Sequence, residues 1–310
     1  MTVETPGAAP PPPRGGSRDD NAPGRGIAAI LVAIAIFSTM DTAIKFLGDT
    51  FTPVQIFFFR SVFALLPLSL VIRAEGGVAS LKTDRFWGHI GRSLLMVAFL
   101  LCFFTGLTLL PLTEAYAVLF AAPLAIAALS VPLLGERVGP RRWAAVILGF
   151  AGVLVVLRPG GDAFGPGGLV VLAAVVFYAF AMIMVRQLSR TESNGAIVFY
   201  FIVTSIVVSV VALPFVWVTP SLTELGLLAG IGILGGIGQL FMTEAYRRAP
   251  VAVVSPFQYT QILWGLLYGY LVFADRPDPI VLLGAAVVVA SGLYVLHRET
   301  RLARAGKASP

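Results

Sequence analysis

A chain of 310 residues with 57% apolar and only 12% charged residues lacks the polar surface of a soluble domain, where roughly a quarter of residues are charged. Its mean hydropathy of +0.89 makes lipid the solvent for most of it. The net charge of +6 does not indicate nucleic acid, because the basic residues fall between apolar runs rather than on one folded face. The single cysteine, Cys102, excludes an internal disulfide or a cysteine-based metal cluster.

Residues 1–26, with the run Pro10 to Pro13, show no hydrophobic period and read as a disordered cytoplasmic tail. The apolar run from Ile27 continues for about 20 residues without a small-residue cleavage site, so no cleaved signal peptide is expected. Ten spans follow, at 27–47, 53–73, 87–110, 112–135, 140–157, 167–187, 194–218, 222–247, 250–273 and 278–297. They are apolar on every face, which excludes a β-barrel. The expected fold class is an all-α integral membrane protein. Seventeen of the 22 Lys and Arg residues fall in the segments that are cytoplasmic if the amino terminus is inside. The positive-inside rule then puts both termini in the cytoplasm of an inner-membrane protein.

The two halves repeat at an offset of 139 residues: Pro111 pairs with Pro250, Glu136 with Asp275, Arg137 with Arg276 and Pro140 with Pro279. Five spans is an odd number, so the second half enters the membrane upside down. The expected organisation is a first repeat at 27–157, a linker at 158–166, a second repeat at 167–297 and a basic tail at 298–310. An inverted repeat exposes a central site to each side in turn, which is the architecture of a carrier.

The strings FFTGLTLLPLTEAYAVLFAAPLAIAALSVPLLGERVGPRRWAAVILGFAGVLVV and FMTEAYRRAPVAVVSPFQYTQILWGLLYGYLVFADRPD resemble the two EamA repeats of the drug/metabolite transporter superfamily, over about residues 27–297. The resemblance rests on Gly135 to Arg137 and on Ala245 to Pro250, and the second repeat departs from it with Ala274 and Asp275 where a Gly-Glu pair is usual. It implies a ten-span carrier of a small organic metabolite, often outward. The AYRRAP and PFQYT style is also similar to riboflavin importers and to exporters or exchangers of other metabolites.

Intramembrane charges are costly and mark function or a structural pair. Asp41 lies about 21 Å along its helix from the inner boundary, and Arg60 lies about 10 Å below the outer one, so they share a depth. Lys45 is one turn from Asp41, at a spacing that allows an ion pair. In the functional reading Arg60 or Lys45 receives a polar or anionic substrate group and Asp41 takes a proton; in the bland one Lys45 snorkels outward from a charge-offsetting pair. Glu114 reads as a helix-start carboxylate, Glu244 as a structural partner of Arg247 and Arg248, and Arg92 as snorkelling to the inner interface.

The aromatic residues mark a candidate pocket. Trp264 is mid-span rather than interfacial, and Gln261, Trp264 and Tyr268 share one helical face beside Gln258. Tyr116 and Phe120 are one turn apart, and Phe120 corresponds to Tyr259 by the repeat offset. These residues suit a planar or amphipathic ligand, with ordinary helix packing as the alternative. Pro123 and Pro256 are candidate hinges. Gly230, Gly232 and Gly235 spell a dinucleotide motif outside its strand-to-helix context and read instead as helix packing, with Gly226, Gly236 and Gly238 on the same face. Gly149, Gly152, Gly284 and Gly292 invite the same reading. The sequence leads to a secondary carrier with no cofactor and no metal, acting on a small molecule in the bilayer. Export is somewhat favoured, protons or a counter-substrate drive it, and a homodimer is open. An intramembrane enzyme, a membrane sensor and a channel are the competing classes.

Overall fold

The computed structural model describes residues 23–74, 77, 81–134, 140–157, 165–188, 192, 194–249 and 251–307. Residues 1–22 of the tail expected at 1–26 and most of the expected linker lie outside the described residues, whereas 23–26, expected to be disordered, form the first turn of α1. Those described are helical, without strands. The α-helices are α1 (Pro23–Leu47), α2 (Pro53–Ala74), α3 (Phe86–Leu109), α4 (Leu112–Leu119), α5 (Ala122–Leu134), α6 (Pro140–Leu157), α7 (Pro166–Leu188), α8 (Asn194–Val216), α9 (Leu222–Arg248), α10 (Val251–Val254), α11 (Gln261–Phe273) and α12 (Pro279–Lys307). A 3-10 segment, Ser255–Thr260, joins α10 to α11.

Among the described residues, seven segments are long and apolar enough to cross a membrane: Gly24–Leu47, Pro53–Leu70, Phe86–Leu109, Leu112–Leu133, Pro166–Val185, Gly195–Val216 and Leu222–Tyr246. Trp143–Leu157 and Pro279–Val295 are shorter apolar helices. Their outward faces are greasy, with Leu222, Phe215 and Trp87 more than three-quarters exposed; lipid is the environment that such faces require.

Two of the ten sequence-predicted spans are broken. The stretch from Leu112 divides at Phe120 and Ala121, where the Ala121 N–H donates to Val118 O instead of one residue further back. Pro123, at the second position of α5, has no N–H to carry the ladder across. The stretch from Val251 divides at the 3-10 segment, with Pro256 in its first turn. The breaks at 120 and 259 are repeat-equivalent.

Helix packing has the same exchange symmetry. α1 packs on α9 as α7 packs on α3, α2 on α9 as α8 on α3, α4 on α7 as α10 on α1, and α5 on α7 as α11 on α1, whereas α2·α8 and α6·α12 each pair an element with its own counterpart. Small residues allow these approaches. A Cβ on Gly236 would stand 2.0 Å from Pro67 Cγ, and one on Gly284 would stand 2.8 Å from the Gly152 carbonyl. Gly232, Gly235, Gly238, Gly149 and Gly292 also face close neighbours, but Gly226 and Gly230 do not: a Cβ there would meet nothing within 4 Å. The expected packing face of α9 is therefore narrower than its glycine count, because two of its glycines point away from α1 and α2.

Candidate functional site

Asp41 lies on α1 with 3% of its surface exposed. A buried carboxylate needs donors, and two arrive from other elements. Tyr116 Oη on α4 donates to Asp41 Oδ2 at 3.0 Å, and Gln261 Nε2 at the start of α11 donates to the same oxygen at 3.4 Å. Gly265 clears the space for the Tyr116 ring, since a Cβ there would fall 2.8 Å from Tyr116 Cδ2. The two broken stretches thus deliver one ligand each to a single carboxylate.

Arg60 on α2 supplies the opposing charge. Its guanidinium and Asp41 act on each other electrostatically, it lies 5.9 Å from the centroid of the Phe104 ring, and its Nε is buried without a partner. Gly235 on α9 makes room for it, a Cβ there being 3.4 Å from that Nε. Trp264 and Tyr268 lie together with ring centroids 5.6 Å apart and planes 30° apart, and Tyr268 Oη is 2.8 Å from Thr39 Oγ1, on a different face of α1 from Asp41. Gln258 Nε2 donates to Tyr246 Oη on α9.

Other sequence candidates stand apart. Lys45 forms no ion pair with Asp41; its Nζ donates to the carbonyls of Leu110 at 2.6 Å and Leu107 at 3.2 Å, beside the Phe273 ring. It thereby satisfies carbonyls at the end of α3 that have no helical partner. Phe120 and Tyr259 meet edge to face at 5.0 Å, and Tyr259 Oη fills the space over Gly292, away from Asp41. That contact joins repeat-equivalent residues at the two breaks. Glu244 pairs with Arg248 at 2.5 Å.

Arg92 corrects the snorkelling expectation. It is 6% exposed, because its side chain turns into the packing of α3 against α7 and α8 rather than toward the interface. Three further polar features were not anticipated. His89, fully buried on α3, meets Glu192 at 3.0 Å; Gln55, fully buried, holds the backbone of Val218 by two hydrogen bonds, at 2.6 and 2.9 Å; and Ser221 and Glu224 form a capping box on α9. Of these only Ser221 and Glu224, three residues apart before an apolar run, carry a local sequence signal.

The family described as the EamA-like transporter family matches residues 24–158 and again 165–296. The chain belongs to this family. It is 30% identical over 279 residues to the S-adenosylmethionine uptake transporter of Rickettsia prowazekii (strain Madrid E), covering 89% of this chain and 94% of that one. It is 29% identical to the riboflavin transporter of Rhizobium johnstonii, covering 89% and 91%, and 28% identical to the pseudopaline exporter of Pseudomonas aeruginosa, covering 86% and 94%. A solved crystal structure superposes with a TM-score of 0.62 at 21% identity, over 90% of this chain and 99% of the other, which supports the same fold. This EamA-family chain is accordingly a multi-pass membrane protein whose relatives are transporters rather than enzymes.

Proposed function

We propose that this EamA protein is a secondary carrier of the inner membrane with ten spans, α4 with α5 and α10 with α11 each counting as one. In this reading the repeats at 27–157 and 167–297 are inverted, both termini are cytoplasmic, and the site between the halves opens to each side in turn. The substrate is a cationic or zwitterionic metabolite bearing a planar ring, with S-adenosylmethionine as the leading candidate and uptake or exchange as the direction. The supporting observation is Asp41: a mid-membrane carboxylate held by Tyr116 and Gln261 offers a cationic centre its counter-charge in a low-dielectric site. Trp264, one turn after Gln261 on α11, and Tyr268 provide a flat surface on the helix that reaches Asp41.

A second reading is supported by that same aromatic pair: a neutral planar heterocycle of the riboflavin type would stack there without using Asp41. Counterflow of labelled S-adenosylmethionine in proteoliposomes, with riboflavin as competitor, separates the two. For the cationic substrate, Asp41→Asn is expected to abolish counterflow while the variant still inserts and purifies normally. Undiminished counterflow in that variant would remove Asp41 from substrate binding, and riboflavin counterflow in its place would favour the second reading.

A further inference from the structure

Arg92 lies outside the group around Asp41 and carries an unanswered charge. One guanidinium N–H donates to the Ile197 carbonyl at 3.3 Å, and the group lies 5.5 Å from the centroid of the Phe201 ring. Nε is buried and unpartnered, as is the hydroxyl of the adjacent Ser93, a fully buried residue. The ion pairs among the described residues do not include Arg92. A buried arginine with free donors and no carboxylate is costly unless something else supplies the acceptor.

The surroundings show what that would be. Tyr178 on α7 lies within electrostatic range of both Arg92 and Tyr246 on α9, and Tyr246 accepts from Gln258. Gln258 sits three residues before Gln261, which reaches Asp41. Two hydrogen-bonded polar pairs, Gln258 with Tyr246 and Gln261 with Asp41, therefore lie on the elements between Arg92 and the central carboxylate. Arg92 is six residues into α3, about 9 Å from its cytoplasmic end, so it stands about 12 Å nearer the cytoplasm than Asp41.

We infer that Arg92 forms a second subsite, specific for a carboxylate, which the acidic end of a substrate occupies on the cytoplasmic side of its passage. An arginine whose Nε is buried and free presents a charged donor suited to recognition of a carboxylate. The subsite rests on the carrier reading and on a substrate of the S-adenosylmethionine or methionine class.

The test compares paired ligands that differ only in the carboxylate: S-adenosylmethionine with its decarboxylated form, and methionine with 3-methylthiopropylamine. Stabilisation of the detergent-purified protein against heating is titrated for wild type and Arg92→Gln. The expected result is a preference of about tenfold in apparent affinity for the carboxylated member of at least one pair, lost in Arg92→Gln while the decarboxylated twin binds both proteins alike. Equal binding of twins by wild type, a preference that survives in Arg92→Gln, or no binding by any member at millimolar concentration overturns the subsite. A preference confined to the methionine pair and lost in Arg92→Gln supports the subsite and counts against S-adenosylmethionine as substrate. If Arg92→Gln does not fold, Arg92→Lys is read in the same way, and undiminished preference in it overturns the subsite.

Discussion

Single residues divide into those proposed to meet substrate and those that hold helices together. Gln261, bonded to Asp41, and Trp264, packed on Tyr268, belong to the first group and Phe120, edge to face on Tyr259, to the second, although all three lie on or beside the two broken stretches. Gln261→Ala and Trp264→Ala are therefore expected to weaken substrate binding about tenfold or more with little change in thermal stability, since each removes one donor or one stacking surface. Phe120→Ala should do the reverse, costing about 3 kcal/mol or more of stability from its buried site and leaving affinity in the surviving protein near normal. Equal effects of all three on affinity would erase this division. Glu192 is a separate residue-scale device. Hydrogen bonds from His89 and Thr83, with the charge of Arg85 nearby, hold its carboxyl below the usual range. A depressed carboxylate contributes its stability in full above its unfolded pKa and loses it as pH falls through the folded value. Melting of the wild type should thus become steeper with acidification below about pH 4.5, and Glu192→Gln should flatten that dependence. Parallel melting curves for the two proteins across that window would show that the His89 contact contributes nothing.

At the scale of elements, the most instructive position is the end of α11. Ala274 has φ 54°, and the Asp275 N–H turns back to Gly269 O at 2.9 Å, a left-handed helix stop that glycine occupies without strain. This explains in physical terms why the family pattern has Gly-Glu where this chain has Ala-Asp. Ala274→Gly is expected to stabilise the protein by about 1 kcal/mol, measured as a raised melting temperature in detergent; a lowered one would mean that the alanine methyl packs usefully. Much of the fold was legible in the sequence because lipid demands long apolar runs, and ten such runs stand between charged or Gly/Pro-rich connections. The breaks were legible only as Pro123 and Pro256, since proline marks a missing N–H but not whether the chain bends or passes into a 3-10 turn. Asp41, Arg60, Gln261 and Tyr116 could be picked out singly as polar groups in apolar runs. Their convergence could not, because it depends on how helices 220 residues apart in sequence meet. Arg92 was misjudged for a related reason: a long side chain near a helix end reaches either the interface or the interior, and only the neighbouring helices decide which.

For the whole molecule, the exchange-symmetric packing predicts where its connections emerge. With both termini inside, a cysteine at Lys82 lies in the cytoplasm and one at Thr219 outside. In a Cys102→Ser background an impermeant maleimide added to intact cells should therefore label Thr219→Cys and spare Lys82→Cys. Labelling of Lys82→Cys alone would invert the topology, and labelling of both would discard a single orientation. The backbone is symmetric, but its charge is not. Asp41, Lys45, Arg60 and Arg92 all belong to the first half, and at the 139-residue offset they correspond to Phe180, Met184, Phe199 and Ile231. In a carrier that rocks between mirror-related arrangements, three fixed cations and one anion would sit at one set of depths in one arrangement and at another set in the other, with no equivalent charges crossing the opposite way. The cycle would therefore move net charge through the membrane field, at about 2.3 kcal/mol per full charge for each 100 mV, so the resting voltage itself would bias which side the empty protein faces.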